Sequence, residues 1–391
     1  MAAIHLWPEE WVDRDDQVLV GATLESPDGG RWRLWYRLPA GHRPSLTRSS
    51  DPFVLGALFA AMREPADLVV HGAASPSLLA NLEEFQCAWS AWAPGELRRI
   101  GITADREEEP PRSASAAAVM GFSGGADSAF TAWRHRSGQA GRQRRELRAG
   151  VLVHGFDIPL GQADIFAGAA GRARRMLASI GMELIPVATN YREQGGYWTH
   201  AFGAGLASCL MLLQGRFREG LIASGHSYQN FSAPDGSNPL SDWMMSSDSF
   251  RIIHDGAAFY KADKLRAISQ WPEAMKHLRV CYEGERLDRN CCRCQKCVWT
   301  ILTFRMLGLG LPECFERDIS NSEILRMRYP EAGLVQSMRR LISRLKAESF
   351  SASWVRALQA SVLINRLGLA AKGIPPVRRF YRRHFGSKFP G

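Results

Sequence analysis

A short apolar run at 117–121 passes straight into Gly121-Phe-Ser-Gly-Gly-Ala-Asp-Ser and then into a helical pattern over 126–136. This succession of strand, glycine-rich turn and helix start admits few folds, because it is a βα unit whose turn aims backbone N–H groups at one point. Gly124 and Gly125 let the main chain approach an anion, and the helix end adds about half a positive charge there. Ser123 and Ser128 supply hydroxyl donors, Ala126 opens the helix, and Asp127 places a hard oxygen ligand in its first turn. Neither Gly-x4-Gly-Lys-Ser/Thr nor Gly-x-Gly-x-x-Gly follows a strand, which disfavours the Walker and dinucleotide folds.

The grammar around this turn alternates. Strands are expected at 117–121, 148–154, 182–188 and 219–224, with helices at 126–136, 161–180 and 197–215 between them. That order predicts an α/β domain, a parallel sheet with helices on both faces. Upstream, 17–38 reads as a hairpin through Pro27-Asp-Gly-Gly, followed by helices at 52–63 and 77–92 and strands at 67–70 and near 98–102. The expected organisation is an N-terminal α+β domain at 1–105, a Pro/Ser-rich linker at 106–115, the α/β domain at 116–305 and a basic helical extension at 306–391. Helical periodicity from 298 onward is broken at Pro330 and Pro375-Pro376, and the irregular stretch 227–249 has the length of a functional loop.

Five of the eight cysteines fall between Cys281 and Cys297. Cys291, Cys294 and Cys297 are spaced Cys-x2-Cys-x2-Cys, and with Cys281 they can close a tetrahedral thiolate site for structural zinc. An iron–sulfur cluster is the alternative occupant, and Cys292 the alternative to Cys291. Cys87, Cys209 and Cys314 read as packing residues.

Ser-Gly-Gly-Ala-Asp-Ser after a first strand resembles the PP-loop of the ATP pyrophosphatases. Followed by Cys281-Tyr and the Cys-x2-Cys-x2-Cys spacing, it resembles, as an outlying relative over roughly 116–305, the 7-cyano-7-deazaguanine synthase family of the queuosine pathway. The resemblance implies an adenine nucleotide alpha hydrolase-like fold and cleavage of ATP between its α and β phosphates. It also implies that Ser123 to Ser128 hold pyrophosphate, that Asp127 places Mg2+, that Phe156 and Asp157 lie near the adenosine, and that the four cysteines bind Zn2+. The chain departs from the family in its extensions on both sides of this region.

Other candidates gather where the strands should end, the place where ligands of open α/β sheets bind. Lys261 and Lys264 are candidate catalytic cations for charge developing on the phosphates. Gly225 and His226 are candidates for nucleotide contact, and Tyr228, Asp242, His254 and Asp255 for substrate contact, with His254 a possible general base and His254-Asp255-Gly256 otherwise a capped turn. The expected activity is that of an ATP-dependent ligase or amidating enzyme: adenylation of a carboxylate or amide oxygen on a small or nucleobase-like substrate, then transfer to a nitrogen nucleophile. The alternatives are a tRNA-modifying enzyme working by thiolation or amine transfer, and a non-catalytic ATP-binding scaffold.

Charge bears on partners. The net charge of +10 is confined to 316–391, with 15 Lys and Arg against 5 Asp and Glu, while the preceding 315 residues balance at 34 against 34. Trp354, Phe380, Tyr381, Phe385 and Phe389 lie in that basic segment, Arg378, Arg379, Arg382, Arg383 and Lys388 among them, a pattern suited to an RNA or protein partner, to a membrane surface or to a homodimer contact. The extensions also suggest an acceptor larger than ammonia. No secretory pattern opens the sequence and no apolar run spans a membrane, so a cytoplasmic location is expected.

Overall fold

Alternate residues of the first strands are buried: Ile4 and Leu6 in β1 (Ala3–Pro8), then, past the short β2 (Val12–Arg14), Val18, Val20, Ala22 and Leu24 in β3 (Gln17–Glu25) and Leu34, Tyr36 and Leu38 in β4 (Arg31–Pro39). This period of two gives the sheet one apolar face. It packs with α1 (Asp51–Arg63) and α2 (Pro76–Trp92), each opened by a proline where a missing N–H costs nothing. Trp89 of α2 is fully buried and meets Phe59 of α1 edge-on at 5.0 Å. β5 (Asp67–Ala74) and β6 (Ile102–Glu107) complete this part, the latter starting where the strand near 98–102 was expected to end.

This computed structural model describes residues 2–329, 335, 338–339, 341–343 and 352–372. From 118 the elements alternate as expected: β7 (Ala118–Gly121), α3 (Ala126–Arg136), β8 (Leu147–His154), α4 (Ala163–Ser179), β9 (Glu183–Thr189), α5 (Trp198–Met211) and β10 (Glu219–Ala223). β11 (Arg251–Asp255), α6 (Lys261–Ile268) and α7 (Pro272–His277) follow. The strands form one mostly parallel sheet in the order β11-β10-β7-β8-β9-β4-β3-β1-β5-β6, with β2 paired to β3.

Two features differ from the sequence expectation. The first 105 residues do not stand apart, because β4 pairs antiparallel with β9, Tyr36 opposite Thr189, and the two parts share a sheet and a core. The Pro/Ser-rich stretch ends an element, but composition carries no information about which strand edges meet. β11 was not among the expected strands: Arg251–Asp255 pairs parallel with β10, Ile222 opposite His254. A five-residue strand followed at once by Gly256 carries the signals of a turn, and only the open edge of β10 makes it a strand.

The chain divides into two units, Met1–Asn290 and Cys291–Gly391. In the second, α8 (Gln295–Met306), α9 (Asn321–Arg326) and α10 (Ser353–Lys372) are helical. Asn365 accepts from the Tyr329 N–H at 2.9 Å and donates to Met327 O at 2.9 Å, tying α10 to the segment after α9. Trp354 is buried in α10, which removes it from the expected set of exposed stacking rings. Pro330, Pro375-Pro376 and the Arg- and aromatic-rich stretch at 378–389 lie outside the described residues. Among the described residues no helix is long and apolar enough to cross a membrane.

Candidate nucleotide cleft and cysteine knuckle

β7 lies between β8 and β10 and delivers the glycine turn to the C-terminal side of the sheet. Gly124 has φ +75°, a conformation that side chains other than glycine rarely adopt, so the turn needs glycine there. Ser123 Oγ accepts from the Gly125 N–H at 3.2 Å and lies 3.3 Å from Ser128 Oγ, which also donates to Gly125 O at 3.2 Å. α3 has Gly125 at its N-cap and no side-chain cap, so its first-turn N–H groups are not consumed by a capping side chain.

The turn borders a cleft of about 260 Å³. Ser123, Asp127, Ser128, Phe156 and Asp157, all singled out by the sequence, line it. Aromatic side chains the sequence did not single out form another wall: Trp198 meets Phe156 edge-on at 4.8 Å, and Phe202 lies one helical turn along α5. Arg192 stacks over Trp198 at 5.0 Å and donates to Phe156 O at 2.8 Å, which fixes that corner. An apolar aromatic wall opposite a polar turn suits a ligand with a flat ring and a charged tail.

Lys264, at the second turn of α6, is 2% exposed; its Nζ donates to Asp127 Oδ1 at 2.7 Å and to Ser224 O at 2.5 Å. Lys261 opens the same helix one turn earlier and is half-buried; neither lysine is among the cleft-lining residues, and Lys264 meets the cleft through Asp127. Arg279 is a charged cleft residue that sequence reading missed. Its Nε and Nη2 donate to Ser123 O at 3.2 and 3.0 Å, Nη1 donates to Leu287 O at 3.0 Å, and its main-chain N–H donates to Gly124 O at 2.8 Å. Burial pushes its guanidinium below the ordinary arginine value. The only local trace was an arginine flanked by the apolar Leu278 and Val280.

The remaining candidates form two other groups. Asp242 is fully buried and accepts from Ser237 Oγ at 2.7 Å, Asn238 N–H at 2.9 Å and His254 Nδ1 at 2.8 Å. The Nε2 of His254 is buried with no hydrogen-bond partner. Beside it, His226 Nε2 lies 3.2 Å from Asp235, whose carboxyl is raised by burial, opposed by His226 and reinforced by Asp242. Gly225, His226 and Tyr228 are exposed after β10 and do not line the cleft.

Asp255, expected at substrate, is instead a structural anion. Thr131 Oγ1 donates to it at 2.8 Å, Arg134 Nη1 at 3.1 Å and His135 Nε2 at 3.2 Å, all from α3. His135 Nδ1 accepts the Arg145 N–H at 2.9 Å, which places the ring proton on Nε2 facing the carboxylate. Burial alone would raise Asp255, but His135, Arg134 and Thr131 together hold it below the ordinary carboxylate range. Strand alternation explains the correction: Asp255 and His254 point to opposite faces of β11, and only one can face either way.

In the segment 281–297 the Sγ atoms of Cys281, Cys291, Cys294 and Cys297 lie within 4.8 Å of one another. Cys291 Sγ accepts the Cys294 N–H at 3.2 Å, an arrangement that stabilises a thiolate. Asn290 orders the approach: its Oδ1 accepts from the N–H groups of Val280 at 2.9 Å and Cys281 at 3.3 Å, and its Nδ2 donates to Leu278 O at 2.8 Å. The donor set fits a soft, tetrahedral ion, so these residues could hold a metal such as zinc, with Cys291 rather than Cys292 in the group. Comparison with known proteins finds no matching family model, curated protein or solved structure.

Proposed function

We propose that the protein binds ATP in this cleft and cleaves it to AMP and pyrophosphate, activating an oxygen of a small carboxylate-bearing or nucleobase-like substrate for attack by nitrogen. The observation that carries the reading is the buried Lys264 meeting Asp127 at the mouth of a glycine turn that opens a helix. A phosphate chain is the anion such a turn suits, through N–H groups and helix dipole together. Phe156 and Trp198 offer the face for a purine.

In this reading the N–H groups and hydroxyls of 123–128 hold the β and γ phosphates. A substrate oxygen attacks the α phosphorus, the bond from that phosphorus to the α–β bridging oxygen breaks, and pyrophosphate leaves with the electron pair. Lys264 stands by the turn as a point charge for the negative charge that builds during that step. Asp127 would hold magnesium, which would supply further neutralisation of the phosphates. Nitrogen then attacks the activated carbon, AMP departs, and the nitrogen loses its proton. The four-cysteine group has no open position in this scheme and serves the fold.

The test is product identity. Incubating the full chain with ATP, magnesium, ammonia and 7-carboxy-7-deazaguanine as the first candidate substrate should release AMP and pyrophosphate. Release of ADP and phosphate instead would overturn the reading, and tight ATP binding without turnover across candidate substrates would favour a scaffold.

A further inference from the structure

Two cations are buried beside the glycine turn, Arg279 lining the cleft and Lys264 reaching it through Asp127, and their charges are met differently. Lys264 has a direct carboxylate partner, Asp127, at 2.7 Å. Arg279 has none at hydrogen-bond distance: its donors go to the neutral carbonyls of Ser123 and Leu287, and the nearest carboxylate, Asp157, stands 3.9 Å away with its side chain 53% exposed. A guanidinium 5% exposed, held by carbonyl oxygens and offset only at longer range by Asp157, Cys281 and Asp288, carries a positive charge that an anion in direct contact would stabilise. Both Arg279 and Asp157 line the cleft, and the fork of Arg279 grips the first carbonyl of the glycine turn.

We propose that Arg279 is a diphosphate-binding residue of the cleft and that Asp157 is its resting counter-ion, a loose carboxylate that the incoming diphosphate replaces. The inference rests on the reading of 123–128 as a phosphate turn, and it adds what that reading lacks: a second cationic arm, on the segment after α7, and a competitor that sets the affinity. Planar guanidinium suits paired phosphate oxygens, whereas the lysine acts as a point charge. Because Asp157 competes with the ligand, removing its charge must tighten anion binding, an effect of opposite sign to removing Arg279.

Inorganic pyrophosphate is the probe, titrated calorimetrically into the full chain without magnesium. Arg279→Met should weaken its binding by about tenfold or more, and Asp157→Asn should strengthen it by about threefold, as expected for gaining or losing one charge-assisted contact. Unchanged or weaker binding in Asp157→Asn overturns the proposal; because neutralising a cleft-lining carboxylate favours an anion in itself, the gain should also shrink in the Arg279→Met, Asp157→Asn double variant, and a gain of the same size there overturns it too. Should Arg279→Met fail to fold, Arg279→Lys, which keeps the charge but loses the paired donors, takes its place in both comparisons. If the unsubstituted protein binds pyrophosphate but Arg279→Met binds it equally well, only this inference falls. If the unsubstituted protein binds neither pyrophosphate nor ATP, the phosphate-turn reading falls with it.

Discussion

Lys264 Nζ and Asp127 Oδ1 are 2.7 Å apart, yet the two side chains live in different surroundings, the lysine 2% exposed and the aspartate 41%. One end of the pair is anchored in the core through Ser224 O, and the other is presented at the cleft. The pair therefore joins α6 to the head of α3 and leaves a carboxylate oxygen at the cleft.

That asymmetry predicts unequal effects of breaking it. Lys264→Met keeps the buried stem and leaves a carboxylate that water can solvate, so stability should fall by about 1 kcal/mol or less. Asp127→Ala leaves a buried ammonium with only a carbonyl partner and should cost about 2 kcal/mol. Thermal denaturation should therefore rank Lys264→Met as the more stable. AMP and pyrophosphate formation should drop by about 100-fold or more in both.

The cysteine group gives a second expectation. Cys291 lies in the set of four mutually close thiols and Cys292 does not. Cys291→Ser should lose bound zinc on purification, while Cys292→Ser should retain one ion per chain. Elemental analysis of both variants checks this, and equal retention would mean that the two cysteines exchange roles.

Much of this was legible in residue pattern. The βα order, the glycine turn and the cysteine spacing depend on local chemistry, and the sequence places them within a few residues of where they form. What was not legible depends on strand edges and on long-range charge. No local signal says that β4 would pair with β9, or that a five-residue run at Arg251–Asp255 would find the free edge of β10. Asp255 looked like a ligand residue because its partners Thr131, Arg134 and His135 lie 120 or more positions away. Arg279 was passed over for the same reason, since its purpose appears only when Ser123 O is beside it.

Asp255 yields the pH prediction. Its folded pKa lies below that of an unfolded chain, about 3.9, so its stabilising contribution is complete above that value and is lost as pH falls through the folded one. Asp255→Asn should cost about 3 kcal/mol near neutral pH, because Arg134 and His135 lose a buried anion. The gap in melting temperature between the two proteins should then narrow as pH is lowered from about 5 to about 3. A gap independent of pH would mean that the carboxylate's charge does not matter to the network.

The junction between β4 and β9 makes the last prediction. Tyr36 of β4 is fully buried, its hydroxyl bonded to Ser208 Oγ of α5, and that serine donates to Pro52 O of α1 at 2.7 Å. Three elements thus meet on one hydroxyl pair beneath the strand that joins the two parts of the sheet. Burial pushes the Tyr36 phenol well above its ordinary value, so it stays a neutral partner at any working pH. Tyr36→Phe should cost about 1–2 kcal/mol, the loss of a buried hydrogen bond whose partner keeps another acceptor. Removing residues 2–105 should do far more, since it uncovers the edge of β9 and the core shared with α1 and α2. The fragment 106–391 should aggregate, as an exposed edge over an opened core generally does. A soluble fragment with a cooperative melt would show instead that the α/β part folds alone and that the N-terminal strands are an addition to a finished domain.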